Sequence, residues 1–277
     1  MTPRPLRSVL FLPADNPRAL AKARTLPCDA VVLDLEDAVA PERKSEGRAA
    51  AVEAVRAGGW GERLLAVRVN ALDTPWGAED LAALGDAAPE AVVAPKVGQP
   101  EDVRDYAARL ADGAQLWAMV ETCRGVLHAA EIARSGPPLA ALVVGANDLS
   151  KDMGRPLGPD RRPLHAALST AVMAARACGL CVVDGVFNTL DDPDGLSREA
   201  AEGRSFGFDG KSLIHPSQVE PVNRAFGPAE AELAWARAVV EAFAAPENAG
   251  KGAVRAAGAM VERLHLEQAE ALLRLAG

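Results

Sequence analysis

Aromatic side chains are scarce in this chain, making up 4% of 277 residues with a single tyrosine. A core built without them must be filled by alanine, valine and leucine, and hydrophobic residues reach 49%, enough for a large one. Cysteine is sparse as well. Cys28, Cys123, Cys178 and Cys181 match neither a disulfide framework nor the usual zinc spacings, and such usage fits a reducing cytoplasm. Cys178-Gly-Leu-Cys181 is formally C-x-x-C, but it overlaps an apolar strand where cysteine packs as a small hydrophobe. Excess positive charge is missing: the net charge is −8, which counts against nucleic acid and against a polybasic membrane contact. Long apolar runs are also lacking. Val9-Leu10-Phe11-Leu12 is too short for a signal-peptide core or a membrane span. No Gly-x-Gly-x-x-Gly follows the first strand, so a dinucleotide fold has no support.

What is present is alternation. Short apolar runs near 7–12, 30–35, 64–69, 91–95, 115–120, 140–145, 180–184 and 209–213 read as buried strands. Between them lie Ala-rich, charge-decorated stretches such as 42–57, 100–112, 125–135, 163–178 and 196–205, with apolar residues at helical spacing. Strands that are apolar throughout, separated by helices, predict a parallel sheet covered by helices. A (β/α)₈ TIM barrel accommodates the whole set. The pattern changes near residue 216. An amphipathic helix over 228–244, a break at Ala245-Pro246-Glu247-Asn248 and a last helix from 262 predict a C-terminal helical extension. The expected division is 1–225 for the barrel and 226–277 for the extension, which either caps the barrel or crosses to a neighbouring subunit.

In a parallel barrel, reacting groups come from the C-terminal ends of the strands. Two carboxylates stand out there: Glu121, closing Leu116-Trp-Ala-Met-Val-Glu121, and Asp148, just beyond Leu142-Val-Val-Gly-Ala-Asn147. Two acids with open positions for water or substrate oxygens suit a hard divalent cation such as Mg²⁺. They equally suit a helix cap and a turn anchor. Arg68 alternates with apolar neighbours, so its guanidinium points inward and needs acceptors. Glu36, Asp37 or an anionic ligand can supply them, the last through the planar fork that arginine offers a carboxylate. Lys96, behind Pro95, reads as a structural barrel lysine, a substrate-binding cation or a Schiff-base amine. Gly145, Ala146 and Asn147 form a tight turn whose amides could hold an anion or a carbonyl oxygen. Asp184, Lys211 and His215 complete the acidic and basic groups expected at the rim.

Taken in order, Arg7-Ser-Val-Leu-Phe-Leu-Pro-Ala-Asp-Asn-Pro17, Asp34-Leu-Glu-Asp-Ala-Val39, Val67-Arg-Val-Asn70, Ala94-Pro-Lys96, Val120-Glu-Thr122, Gly145-Ala-Asn-Asp-Leu149 and Gly210-Lys-Ser-Leu-Ile-His-Pro216 resemble the citrate lyase β subunit and malyl-CoA lyase group of barrel aldolases. The resemblance implies Mg²⁺ on Glu121 and Asp148, Arg68 on substrate oxygens, and Glu36 and Asp37 lining the site. It implies a Mg²⁺-dependent carbon–carbon lyase, usually a homo-oligomer and often a trimer, which the cysteine usage places in the cytoplasm. Such an enzyme cleaves a citryl-, malyl- or citramalyl-like thioester into a 2-oxo acid, oxaloacetate among them, and an acetyl or propionyl thioester on CoA or an acyl-carrier protein. Two alternatives stand beside this: hydrolysis of the same thioesters, and a subunit inactive without carrier and transferase partners. The malyl-CoA lyase type has a C-terminal Gly-x-Met-[Ile/Val]-Asp whose aspartate reaches a neighbouring site as base. Here Gly258-Ala-Met-Val-Glu262 puts a glutamate in its place. Asn16, Arg18, Lys44 and Arg48, on the first two loops and helices, are the candidates for meeting CoA phosphates or adenine.

Overall fold

The structure is a computed structural model that describes residues 5–156, 158 and 160–276. Strands β1 (Ser8–Pro13), β2 (Ala30–Asp34), β3 (Leu64–Arg68), β4 (Ala91–Ala94), β5 (Gln115–Val120), β6 (Leu139–Val144), β7 (Cys181–Asp184) and β8 (Gly210–Leu213) close into a barrel in sequence order. Every neighbouring pair is parallel, and Ser8 opposite Lys211 closes the ring. Helices connect the strands, so the expected (β/α)₈ architecture is what the chain adopts. Both faces of the strands are covered, which is why they read as continuous apolar runs rather than alternating ones.

The lumen is filled by every second residue. Ala30 and Val32, Leu64 and Ala66, Ala91 and Val93, Trp117 and Met119, Ala141 and Val143, and Val183 form one buried cluster. One large ring, Trp117, stands among alanines, and this size complementarity lets a chain poor in aromatics fill a barrel. Continuing the same parity toward the C-terminal ends puts Asp34, Arg68, Glu121 and Gly145 above that plug.

The opposite parity faces the helices. Asp184 and Lys211, expected at the rim, belong to this outer set. Lys211 is fully buried and donates to Asp184 Oδ2 at 3.1 Å, Glu199 Oε1 at 2.7 Å and the Gly185 carbonyl at 2.7 Å. Arg161 grips Asp184 with two hydrogen bonds of 2.9 Å. The two residues therefore pin β7 and β8 to the helix Pro193–Phe206, and their charge is spent on structure. His215, also expected there, caps a short turn by accepting from the Ser217 amide at 3.2 Å.

The helical stretch expected at 125–135 is split at His128 into Cys123–Leu127 and Ala129–Ala133. The His128 ring turns away to meet the Gly98 carbonyl at 3.0 Å.

The chain divides into two compact units between Asn223 and Arg224. In the second, helices Glu230–Ala244 and Arg263–Ala276 pack with a hairpin, β9 (Ala253–Ala256) and β10 (Ala259–Glu262), around Ala236, Val239, Val254, Ala256, Val261 and Ala269. The expected extension is thus helical with a hairpin interposed. Its period-two burial is confined to four residues, and its turn needs positive φ at Ala257 (48°) and Gly258 (81°), as tight hairpins do.

Barrel closure generates a test. A Cβ at Gly210 would lie 1.8 Å from the Leu6 carbonyl oxygen and 2.5 Å from that of Arg7, whereas one at Gly85 meets nothing within 4 Å. Gly210→Ala should lower unfolding stability by about 3 kcal/mol in urea titrations, and Gly85→Ala should be near neutral. Equal midpoints for the two would contradict the backbone contact between β8 and the segment leading into β1.

Candidate functional site

A cavity of about 400 Å³ opens at the C-terminal mouth of the barrel, with Phe11, Asp34, Asp37, Arg68, Met119, Glu121, Gly145, Asn147, Asp148 and Ser212 among its walls. Its charged floor is built around Arg68. The sheet register sets Asp34 beside Arg68, and the two side chains form a fork: Nε donates to Oδ1 at 2.7 Å and Nη2 to Oδ2 at 2.6 Å. Nη1 lies 2.7 Å from Glu36 Oε2 and 3.7 Å from Asp37 Oδ2. The guanidinium also stacks 5.6 Å from the Phe11 ring centroid. Burial opposes its charge, but Asp34, Glu36 and Glu121 outweigh burial and hold its pKa above the usual arginine value.

Asp34, which the strand-end pattern does not single out, is the residue that holds Arg68. Glu36 and Asp37 are the expected acceptors, yet Asp34 alone meets the guanidinium with both carboxylate oxygens. The signal was there: Asp34 shares the parity of the lumen residues Ala30 and Val32, whereas Asp37 lies beyond the strand and is mostly exposed.

Glu121 is 1% exposed. Burial, and then the negative charge of Glu36, pushes its pKa up to about 7, against the pull of Lys96 and Arg68. Its Oε1 accepts from the Lys96 amide at 2.8 Å. Its Oε2 lies where a Cβ on residue 145 would come within 2.1 Å, so Gly145 is required to seat this carboxylate. Asp148 sits in the first turn of the helix Ala146–Asp152 and lines the same cavity. The Lys96 ammonium bridges the group: 2.8 Å from Glu36 Oε1, 3.7 Å from Asp148 Oδ1 and 4.0 Å from Glu121 Oε1. Burial also raises the Glu36 pKa, with Arg68 and Lys96 pulling it back. Glu36, Asp37, Arg68, Lys96, Glu121, Gly145 and Asp148 are therefore brought together.

Asn147 exchanges two amide hydrogen bonds with Asn188, at 3.2 and 2.7 Å, on the cavity wall. Ala146 lines the cavity beside it.

Among the residues expected to meet CoA, two have other employment. Lys44 is buried, and its ammonium donates to the carbonyls of Leu35 and Glu36 at 2.7 Å each. It lies 5.2 Å from the Trp76 ring centroid. It holds the end of β2 in place and is not offered to a phosphate. Arg48 is clasped by Asp80 at 2.7 Å and Glu79 at 2.8 Å, tying two helices together. Asn16 caps the helix Pro17–Ala23 by accepting from the Ala19 amide, and Arg18 is exposed on that helix. Glu262 is the last residue of β10, in the second unit, and is exposed.

Among the described residues no three His, Cys, Asp or Glu side chains are grouped to hold a metal by themselves, so a divalent ion here would rest on a carboxylate pair and take its remaining ligands from water or substrate. Asp34, Glu36, Asp37, Glu121 and Asp148 face the two cations Arg68 and Lys96, leaving an excess of negative charge. Glu121 and Asp148, not claimed by the guanidinium fork, are the carboxylates that could hold the ion, with water or substrate oxygens completing its shell.

Residues 7–216 match the HpcH/HpaI aldolase/citrate lyase family. The chain belongs to that family. It is 44% identical over 269 residues to the (3S)-malyl-CoA thioesterase of Cereibacter sphaeroides strain KD131, covering 97% of this chain and 94% of that protein. It is 32% identical over 280 residues to citrate lyase subunit beta of Leuconostoc mesenteroides subsp. cremoris, covering 98% and 93% of the two chains. Among solved structures, CitE from Mycobacterium tuberculosis, in complex with magnesium, acetoacetate and coenzyme A, superposes with a TM-score of 0.83 at 35% identity, over 99% of this chain and 98% of that one. Among the described residues, no helix of this family member is long and apolar enough to cross a membrane.

Glu121 gives a pH prediction. Its folded pKa of about 7 lies above the unfolded value of 4.5, so its contribution is full below pH 4.5 and is lost as pH rises through 7. In EDTA, urea titrations should show wild-type stability falling by about 3 kcal/mol between about pH 4.5 and about pH 8 relative to Glu121→Gln. Parallel pH profiles for the two proteins would show that Glu121 is not a desolvated carboxylate.

Proposed function

We propose that the barrel mouth is a Mg²⁺-dependent acyl-thioester site acting on a malyl-CoA-like substrate, a 3-hydroxy acyl thioester with a free carboxylate, and that the reaction is thioester hydrolysis. The observation that carries the site is the convergence of Glu121, Asp148 and Arg68 on one cavity at the strand ends. Similarity favours hydrolysis: identity to the malyl-CoA thioesterase is 44%, against 32% for the citrate lyase subunit. The glutamate at position 262, where lyases of the malyl-CoA type carry an aspartate base, points the same way.

Mg²⁺, when bound, supplies positive charge that polarises a substrate oxygen. Glu121 and Asp148 would hold it. Arg68, locked by Asp34, presents a fixed positive charge toward developing oxygen charge without having to reorganise. Asp37, exposed beside Arg68, would take the proton of an attacking water, with Glu36 as the other candidate base. The wall formed by Ala146 and Asn147 would orient the free carboxylate. Asn16 and Arg18 remain the groups proposed to meet CoA. Hydrolysis breaks the thioester C–S bond, forms a C–O bond and leaves the thiol protonated.

A second reading keeps the same groups. In retro-aldol cleavage, Glu36 or Asp37 takes the substrate hydroxyl proton, and the products are a 2-oxo acid and a shorter acyl thioester. It is favoured by the order of rim motifs shared with lyases. Glu262, one methylene longer than aspartate, would serve as base in the condensation direction from a neighbouring copy, and a cytoplasmic homotrimer goes with that role. A requirement for carrier and transferase partners belongs to the citrate lyase version alone.

Incubating the purified chain with malyl-CoA and Mg²⁺ separates these readings. Hydrolysis predicts free thiol and malate in equal amounts without glyoxylate. Glyoxylate with acetyl-CoA would establish the lyase, and no turnover of any CoA ester would leave only the carrier-dependent subunit. In calorimetry, Glu121→Gln and Asp148→Asn should each weaken Mg²⁺ binding by at least about tenfold. Wild-type affinity in both variants would remove the proposed ion site.

A further inference from the structure

Lys96 has a backbone that its side-chain type does not favour. Its φ of 52° lies in the left-handed region, which is costly for any residue with a Cβ. That conformation aims the Lys96 amide at Glu121 Oε1, 2.8 Å away. The residue also carries a side chain whose ammonium faces three carboxylates: Glu36 at 2.8 Å, Asp148 at 3.7 Å and Glu121 at 4.0 Å. Two of the three are the proposed Mg²⁺ ligands. The side chain is 41% exposed, so a route to solvent is open along a flexible four-carbon stem.

A single tethered charge therefore stands where a doubly charged ion would be drawn. The ammonium can satisfy the cluster in the absence of metal, because three acids this close, one of them fully buried, repel one another without a cation. It cannot share both ligands with a divalent ion without like-charge repulsion. Its shortest contact, 2.8 Å to Glu36, involves neither proposed ligand and can persist when an ion binds.

We infer that Lys96 is a tethered counter-ion of the metal site, neutralising Glu36, Glu121 and Asp148 before the ion arrives and retreating onto Glu36 or into solvent when it binds. This positioning role rests on the reading of Glu121 and Asp148 as Mg²⁺ ligands. It makes the cavity stable when empty at the cost of weaker Mg²⁺ binding. The enzyme would then respond to the free Mg²⁺ level rather than hold the ion permanently.

The test compares wild type, Lys96→Met, Lys96→Arg and Glu121→Gln at about pH 8.5, where carboxylates are ionised. Mg²⁺ affinity is read by calorimetry, and melting temperatures are taken in EDTA and in saturating Mg²⁺. Lys96→Met should bind Mg²⁺ at least about tenfold more tightly, as removal of one adjacent like charge allows, while Lys96→Arg stays within about threefold of wild type. Lys96→Met should melt below wild type in EDTA, and the gap should close in Mg²⁺. Unchanged or weaker affinity in Lys96→Met, or a melting deficit equal in both conditions, makes Lys96 a structural prop and overturns the inference. If Glu121→Gln binds Mg²⁺ as wild type does, the metal reading and the counter-ion role fall together. If Glu121→Gln loses the ion while Lys96→Met gains nothing, the counter-ion role falls alone.

Discussion

The fork between Arg68 and Asp34 is the interaction on which the site depends. It lies just above the apolar plug of the barrel, buried, with both prongs under 2.8 Å. A guanidinium placed there without a partner would cost several kcal/mol in desolvation. With Asp34 bound, it becomes a fixed positive charge around which Glu36, Asp37 and Glu121 are arranged. Lys44 supports the same corner from behind by gripping the carbonyls of Leu35 and Glu36. The side chain expected to meet a cofactor thus serves to hold the acids that line the cavity.

The second constraint is the excess of acid over base. Five carboxylates share a small, partly dry space with Arg68 and Lys96. Burial raises the pKa of Glu121 to about 7 and that of Glu36 above its ordinary value, as expected when negative charge is crowded away from water. Such a cavity is held at a cost in stability, and a cation relieves that cost. Gly145 belongs to the same design, because any side chain there would collide with the Glu121 carboxylate.

Much of this was legible along the chain because barrel strands announce themselves. Runs such as Leu116–Val120 and Leu142–Val144 are apolar on both faces, the first followed at once by Glu121 and the second by Asp148 one helical turn on, and parallel strands in one barrel send those ends to one rim. Glu121, Asp148, Arg68 and Lys96 followed from that rule. It failed where parity mattered. Asp184 and Lys211 also sit at or near strand ends, but their side chains point to the helices, where Arg161 and Glu199 neutralise them. Lys44 and Arg48 read as cations available to CoA on an early helix, and nothing local marks the carbonyls and acids that absorb them. The hairpin Ala253–Glu262 was missed because four-residue strands rich in alanine carry almost no periodic signal.

By itself, then, the order of apolar and polar residues determined the architecture and which residues could reach the mouth of the barrel, since burial periodicity is a local property. Only the folded chain decided which charge meets which. Arg68 and Asp34 are separated by 34 positions, and Lys96 and Glu36 by 60. Their pairing depends on strand register and barrel closure, which bring distant residues within 3 Å, and on burial, which turns that proximity into a strong electrostatic bond.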